Sequence, residues 1–372
     1  MLNTKLLIMK GKLILFSFFI YLLGGFVFSQ ELTEKEQAYR DSIAALNEEN
    51  ATIAASQEAY NKGIEFFNQK SYSKAIASFK TSIASDPNFT AAYYNKGVAE
   101  NEADLFSEAV KTLTALIEKD AGYSRAYFQR ARAFQGVEEY SKAETDYLKS
   151  IELDPKNPNA YYNYGTLQFL QQEYDKAIQS FTKTIELNGN LAYAFNDRGS
   201  CHRMKGDYSK AVADYEEAQR KNPELAFVLN NIGTTRLKMK SYDAATAAFN
   251  RAISIDKDFY LAYNNRGATQ LERKRYTEAI SDFEKCIEIN PNYAPAWANI
   301  AAAKFQQEDY EGAKKAADKA IQLDKNYATA YVNRGMIREM LRDMKGACED
   351  WDKSQELGSE LGGRYASQNC GF

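Results

Sequence analysis

The chain has 372 residues, 45% of them hydrophobic and 26% charged, with a net charge of −3. That balance provides none of the basic surface that phosphate neutralisation needs, so it argues against a nucleic-acid partner. A single histidine, His202, and four cysteines without a CxxC spacing argue against a multi-histidine metal centre or a zinc ribbon, and six prolines beside 26 Tyr and 21 Phe describe a packed helical chain rather than a disordered one.

Residues 1–12 carry Lys5, Lys10 and Lys12 and no acid, and residues 13–29 are apolar and uncharged. Val27 and Ser29 then precede Gln30 and Glu31. These are the n-region, h-region and cleavage site of a secretory signal peptide over 1–29, with cleavage expected after Ser29. The alternative is an uncleaved anchor, because 17 apolar residues sit at the lower edge of a membrane span. Cleavage would leave no stable membrane span, and the expected destination is the periplasm, with full secretion as the alternative. Residues 30–55 are charged and mostly polar, with Ile43, Leu46 and Ile53 as sparse apolar points. They read as a helical leader lying over the first folded unit, with a frayed start.

A period of 34 begins at residue 56. Alanine recurs at 75, 109, 143, 177, 211, 245, 279, 313 and 347 without one insertion. Twelve residues earlier stands Gly or Ala, from Gly63 to Gly335; four residues later stands a large residue in most units, from Phe79 to Trp351. The frame sets nine repeats at 56–89, 90–123, 124–157, 158–191, 192–225, 226–259, 260–293, 294–327 and 328–361, and leaves 362–372 as a C-terminal cap or tail. Each repeat holds two apolar-periodic stretches of short-helix length, such as 160–171 and 174–187 in the fourth. The short polar link between them requires antiparallel packing. Small residues at positions 8 and 20 of the repeat let the two backbones approach, and large residues at 4, 17 and 24 fill the space. One helix pair cannot bury that face, whereas stacked neighbours do. Pro158 and Pro295 fall at the first and second positions of their repeats, where a helix starts.

The pattern resembles the tetratricopeptide repeat, whose signature is a large residue at position 4, a small one at 8, Ala at 20, an aromatic at 24 and Pro at 32. Tyr263, Gly267, Ala279, Phe283 and Pro291 fill all five. The resemblance implies an all-α, right-handed solenoid of nine helix-turn-helix repeats. It also implies a non-catalytic role, and no nucleophile triad, phosphate loop or HExxH motif stands against that. No cofactor and no metal is expected.

Position 6 reads Asn61, Asn95, Gln129, Asn163, Asp197, Asn231, Asn265, Asn299 and Asn333. Asn is a poor helix former, so propensity does not select it there. A row of amides offers the donor and acceptor that a peptide main chain complements. Similar asparagine ladders line the groove of protein glycosyltransferases built on this repeat; the alternative is that the amides bond neighbouring repeats. Position 5 offers Tyr60, Tyr94, Phe128 and Tyr162 and then Asn196, Asn230 and Asn264, and position 12 includes Phe169. In this family both positions face the groove, so the N-terminal half of the groove is expected to be aromatic. These rings either anchor a partner or close the gap between helices. Arg125 and Arg132 form a basic spot on that face, with Arg130 off it. Position 5 never holds Lys, which disfavours the chaperone-tail clamp known in relatives. Cys348 opens the last second helix and Cys370 lies near the chain end; one helix up and a cap back down lets their sulfurs meet, as a disulfide or as two unpaired thiols. The closing segment also resembles that of some bacterial envelope proteins of this family. Cys201, Cys286 and His202 read as packed residues.

The expected function is a protein- or peptide-binding scaffold or adaptor of the cell envelope that uses the concave groove. The alternatives are a structural module that contacts its assembly by the convex face or ends, and a glycan or small-molecule binder.

Overall fold

A computed structural model describes residues 34–371, so the expected signal segment and residues 30–33 of the leader lie outside the described residues. Among the described residues there are nineteen α-helices and no strand. The chain divides into two compact units, residues up to Ala99 and residues from Glu100 onward. The first holds repeat 1 and most of the next helix, and the second holds the remaining repeats. Both are built the same way, from antiparallel helix pairs that stack as an α-helical repeat solenoid. From repeat 2 onward the first (A) helix covers positions 1–13 and the second (B) helix starts at position 17, as in Pro158–Leu170 and Tyr174–Leu187.

The A–B turn is made by backbone geometry. Position 15 has positive φ in all nine repeats, from 57° at Lys70 to 83° at Gly206. The next N–H returns to the carbonyl of position 11, as Ser241 does to Arg236 at 2.9 Å. This is a Schellman closure, which needs one left-handed residue. Only Gly206 takes that conformation without steric cost, and elsewhere polar side chains accept it. The B–A turn is made by a side chain. Position 31 is Asp or Asn in each of the first eight repeats, and its Oδ1 accepts the N–H two residues on, at 2.9 Å for Asp86 and Asn88 and 3.3 Å for Asn290 and Asn292. Such Asx turns stop a helix and reverse the chain in three residues.

Within each unit the core sits between the A and B helices of a repeat. Every alanine of position 20 is fully buried, and so are Phe79, Tyr147, Phe181, Tyr215, Phe249, Phe283 and Trp351 of position 24. Each such ring contributes roughly 2 kcal/mol by burial. The ring lies against the position 8 glycine of its own A helix. A Cβ added to Gly267 would stand 2.7 Å from Phe283 Cε1, and one added to Gly165 would stand 2.9 Å from Phe181 Cε1.

The N-terminal segment differs from the expectation, and the C-terminal segment forms the expected cap. The leader does not lie over the first unit. It runs without a break into the A helix of repeat 1, making one helix, Glu34–Asn68, of 35 residues. No Gly or Pro stands near residue 55 to stop it. Tyr39, Leu46 and Ile53 stay 50% exposed along it. At the other end a capping helix forms at Glu360–Asn369, after Gly358 turns at φ +87°. Tyr365 stacks on Trp351 at 5.3 Å. Cys348 and Cys370 are joined as a disulfide with Cα atoms 5.7 Å apart.

Two outcomes are expected in urea unfolding followed by circular dichroism. Gly267→Ala, which meets a buried ring, and Ala177→Leu, which enlarges a fully buried site beside Phe181 and Cys201, each lower stability by about 1–3 kcal/mol. Cys370→Ser destabilises the cap by about 3 kcal/mol and exposes its helix to protease before the inner repeats.

Candidate functional site

Within each unit the position 6 side chains reach back to position 5 of the preceding repeat. Asn95 Nδ2 donates to Tyr60 Oη at 2.9 Å, and Tyr162 Oη donates to Asp197 Oδ2 at 2.7 Å. Asn231 donates to Asn196 Oδ1 at 3.0 Å, Asn265 to Asn230 Oδ1 at 2.9 Å and Asn299 to Asn264 Oδ1 at 3.0 Å. Asn333 reaches the Ala298 carbonyl at 3.0 Å. The amide row is therefore largely a stitch between consecutive A helices, and in repeats 5 to 7 an asparagine at position 5 supplies the acceptor. Three members stand outside it. Asn61 accepts from Gln57, Gln129 accepts from Asn101 and Arg132, and Asn163 donates to the Asn159 carbonyl of its own helix. The stitch leaves Oδ1 of Asn231, Asn299 and Asn333 without a bond among the described residues, so an acceptor edge remains for a ligand.

The aromatic row is half-buried. Tyr60 packs on Phe79 and Phe89, Phe128 on Tyr147, Tyr162 on Phe181, and Phe169 edge-on to Tyr174, with centroids 4.9–6.1 Å apart. Tyr94 is half-buried as well. These rings close the gaps between helices and show their edges on the A-helix side. The apolar surface that stands free there comes instead from Leu170, 58% exposed, with Tyr193 and Met204 beyond it. Tyr193 stacks on Phe227 at 5.9 Å.

Leu170 is shared by two cavities of the second unit. One, of about 330 Å³, is lined by Asn163, Arg132, Gln135 and Tyr140 among others. The other, of about 250 Å³, is lined by Thr166, Phe169, Leu170, Phe181, Asp197 and Ser200. Burial holds the Asp197 carboxyl above its ordinary range, against the opposing hydrogen bonds from Tyr162 and Asn196. Arg132 pairs with Glu102 at 3.1 Å, which leaves Arg125 as the other member of the expected basic spot. Cys201 and Cys286 are fully buried, and burial pushes both thiols up to about 12. Burial lowers the His202 pKa, with Asp214 3.9 Å away opposing it.

An arginine clamp was missed in the sequence. Arg130, Arg198, Arg266 and Arg334, all at position 7, each grip an Asp sixteen residues on with two hydrogen bonds, 2.9 and 2.5 Å for Arg266 and Asp282. The third nitrogen reaches the preceding B helix, as Arg198 does to Thr182 Oγ1 at 3.0 Å. Each guanidinium also stands over the ring at position 4, 5.5 Å from that of Tyr263. Arg130 is therefore a fixed internal tie. The signal was present as Arg every 68 residues with Asp at a constant offset, the same spacing as Pro87, Pro155, Pro223 and Pro291.

Fold and repeat pattern together define an α-helical repeat protein. Sequence models of the tetratricopeptide repeat match residues 60–124, 124–157, 146–179, 192–225, 228–259, 260–293 and 294–327. The chain belongs to the tetratricopeptide repeat family. No curated protein matches it. Among solved structures it is similar to a tetratricopeptide repeat protein from Parabacteroides merdae, at 19% identity over 67% of this chain and 99% of that one, with a TM-score of 0.58. It is also similar to the APC/C hetero-tetramer Cut9–Hcn1, at 13% identity over 85% and 76% of the two chains and a TM-score of 0.54. These likenesses concern the fold.

Asp197 makes a pH prediction. Its folded pKa is raised, so its contribution to stability is present below the ordinary value of 3.8 and is lost as pH rises through the folded value. Asp197→Asn keeps an acceptor for Tyr162 and removes the buried charge. The variant should melt above the wild type at pH 7, and the two should converge below pH 3.8. A constant difference at all pH values would show that the buried charge is not the cause.

Proposed function

We propose that this chain is a non-catalytic scaffold that holds an extended segment of a partner protein along the A-helix side of its second unit, in the cell envelope. The observation that carries the reading is the pair of cavities that meet at Leu170. An extended strand turns alternate side chains to the same face. Two successive inward side chains would enter the two cavities, and Leu170 would lie against the main chain between them. Asn163 lines the first cavity with an amide that holds no neighbouring repeat, and its Oδ1 is open to a main-chain N–H. The envelope location rests on two supports. One is the basic, apolar and small-residue order of residues 1–29. The other is the Cys348–Cys370 disulfide, which suits an oxidising compartment. Among the described residues no helix is long and apolar enough to cross a membrane.

The test is photo-crosslinking in cells with benzoylphenylalanine in place of Thr166, a residue that lines the second cavity. One dominant protein should be captured. Asn163→Ala and Leu170→Asp should each lower that yield about tenfold, at unchanged melting temperature. Because Asn163 takes no part in the stitch, its loss reads binding alone, whereas Asn231→Ala should also cost stability. Capture that both variants leave intact would remove the contact from this face.

A further inference from the structure

The B-helix side of the second unit carries a cavity that the A-helix reading does not use. It lies between the B helices of repeats 5 and 6, has a volume of about 470 Å³, and has Leu229, Ile232 and Ala248 among its lining residues. Three departures from the repeat pattern converge on it, at positions 4, 28 and 29. Position 4 is aromatic in repeats 2 to 9 except at Leu229. Position 7 holds the clamp arginine in repeats 5 and 7 and is Ile232 here, as it is Ile300 in repeat 8, so no guanidinium enters from this position. Position 28 is Ile at 83, 117, 151, 185, 253, 287 and 321, yet repeat 5 has Gln219. Position 29 is Glu at 118, 152, 186, 288 and 356, yet repeat 5 has Arg220. In the next repeat the corresponding recess is also open, at about 390 Å³, but its lining is polar, with Arg266, Asn250, Gln270 and Asp282 among its residues.

The converging changes leave specific unmet valences. Gln219 is 7% exposed and its Nε2 donates to the Pro223 carbonyl at 2.7 Å, but its Oε1 accepts no hydrogen bond. That oxygen is itself buried, so it marks a costly local departure from the repeat pattern and not an edge open to a ligand. The rim holds Arg220, Arg236 and Arg251. Arg236 pairs with Glu216 at 3.2 Å and Arg220 pairs with Glu217. Arg251 lines the cavity and its guanidinium has no partner among the described residues.

From this chemistry we infer that the cavity is a second docking site, which takes an acidic segment of a partner protein around one large apolar side chain. The apolar group fills the space that a ring occupies in the sister repeats. A flanking carboxylate meets Arg251. The assignment is independent of the A-helix reading, because the two sites share no residue.

The experiment is fluorescence anisotropy of the full chain with a fluorescein-labelled, C-terminally blocked peptide, Glu-Asp-Phe-Asp-Glu. Saturable binding is expected with Kd below about 1 mM. Leu229→Tyr restores the residue type of the sister repeats, so it should melt like the wild type while weakening the peptide at least about tenfold. Arg251→Glu should weaken it to a similar degree, and so should replacement of the peptide's Phe by Gly. No binding up to about 1 mM overturns the inference. So does a Leu229→Tyr protein that binds as the wild type does, because the contact then lies elsewhere. Equal binding of the Gly peptide also overturns it, because the attraction is then charge alone.

Discussion

In seven of the nine repeats one contact sets the frame, the ring of position 24 against the glycine or alanine of position 8. It sets how close the two helices of a repeat come, and with Ala at position 20 it leaves no room for a second large side chain between them. Interiors are packed to crystal-like density, so a methyl group in that notch is felt. The fixed distance is then copied along the chain, which is why the turns recur with identical geometry and why residues as unlike as Lys240 and Glu308 accept a left-handed backbone at one place in the repeat.

On that frame two polar systems tie repeat to repeat from opposite sides. On the A-helix side, amides at positions 5 and 6 stitch consecutive helices. Toward the B helices, the arginine clamp joins three helices in every second repeat from the third. A half-buried guanidinium is tolerable because its Asp meets it bidentately and a third hydrogen bond occupies its remaining nitrogen. The alternation makes the even repeats different. Without the clamp, repeat 4 carries Tyr161 and Tyr164 at positions 4 and 7, and repeat 8 carries Trp297 and Ile300. Repeat 6 lacks both the clamp and the aromatic ring, and its cavity is lined by Leu229 and Ile232 where that of repeat 7 is lined by polar groups.

The asparagine column shows how far a sequence reading of such a surface reaches. The column was legible because Asn is disfavoured in helices and needs a reason. The reason could not be chosen, because an amide that bonds a neighbouring repeat and an amide that bonds a ligand have the same chemistry. The answer depends on the register between A helices, which places position 6 opposite position 5 of the repeat before. Asn163 breaks the pattern because the ring of Phe128 offers no acceptor there. The aromatic column behaves likewise: its rings are half-buried fillers, and the exposed apolar surface comes from Leu170 and its neighbours, which no column flagged.

The 34-residue period, its small and aromatic positions and its constant link lengths determined by themselves that the chain is a stack of helix pairs, and where each pair begins. That information is local and repeated nine times, so no single departure obscures it. The cysteine spacing likewise brought Cys348 and Cys370 within reach. Only the tertiary structure decided the rest: that the leader extends the first helix, that Arg130 and its counterparts are clamps, and that two cavities meet at Leu170 and a third opens beside Leu229. Each of these depends on side chains from different repeats coming within a few ångströms. The rise and rotation from one repeat to the next set those distances, and they emerge only when the packed helices settle against one another.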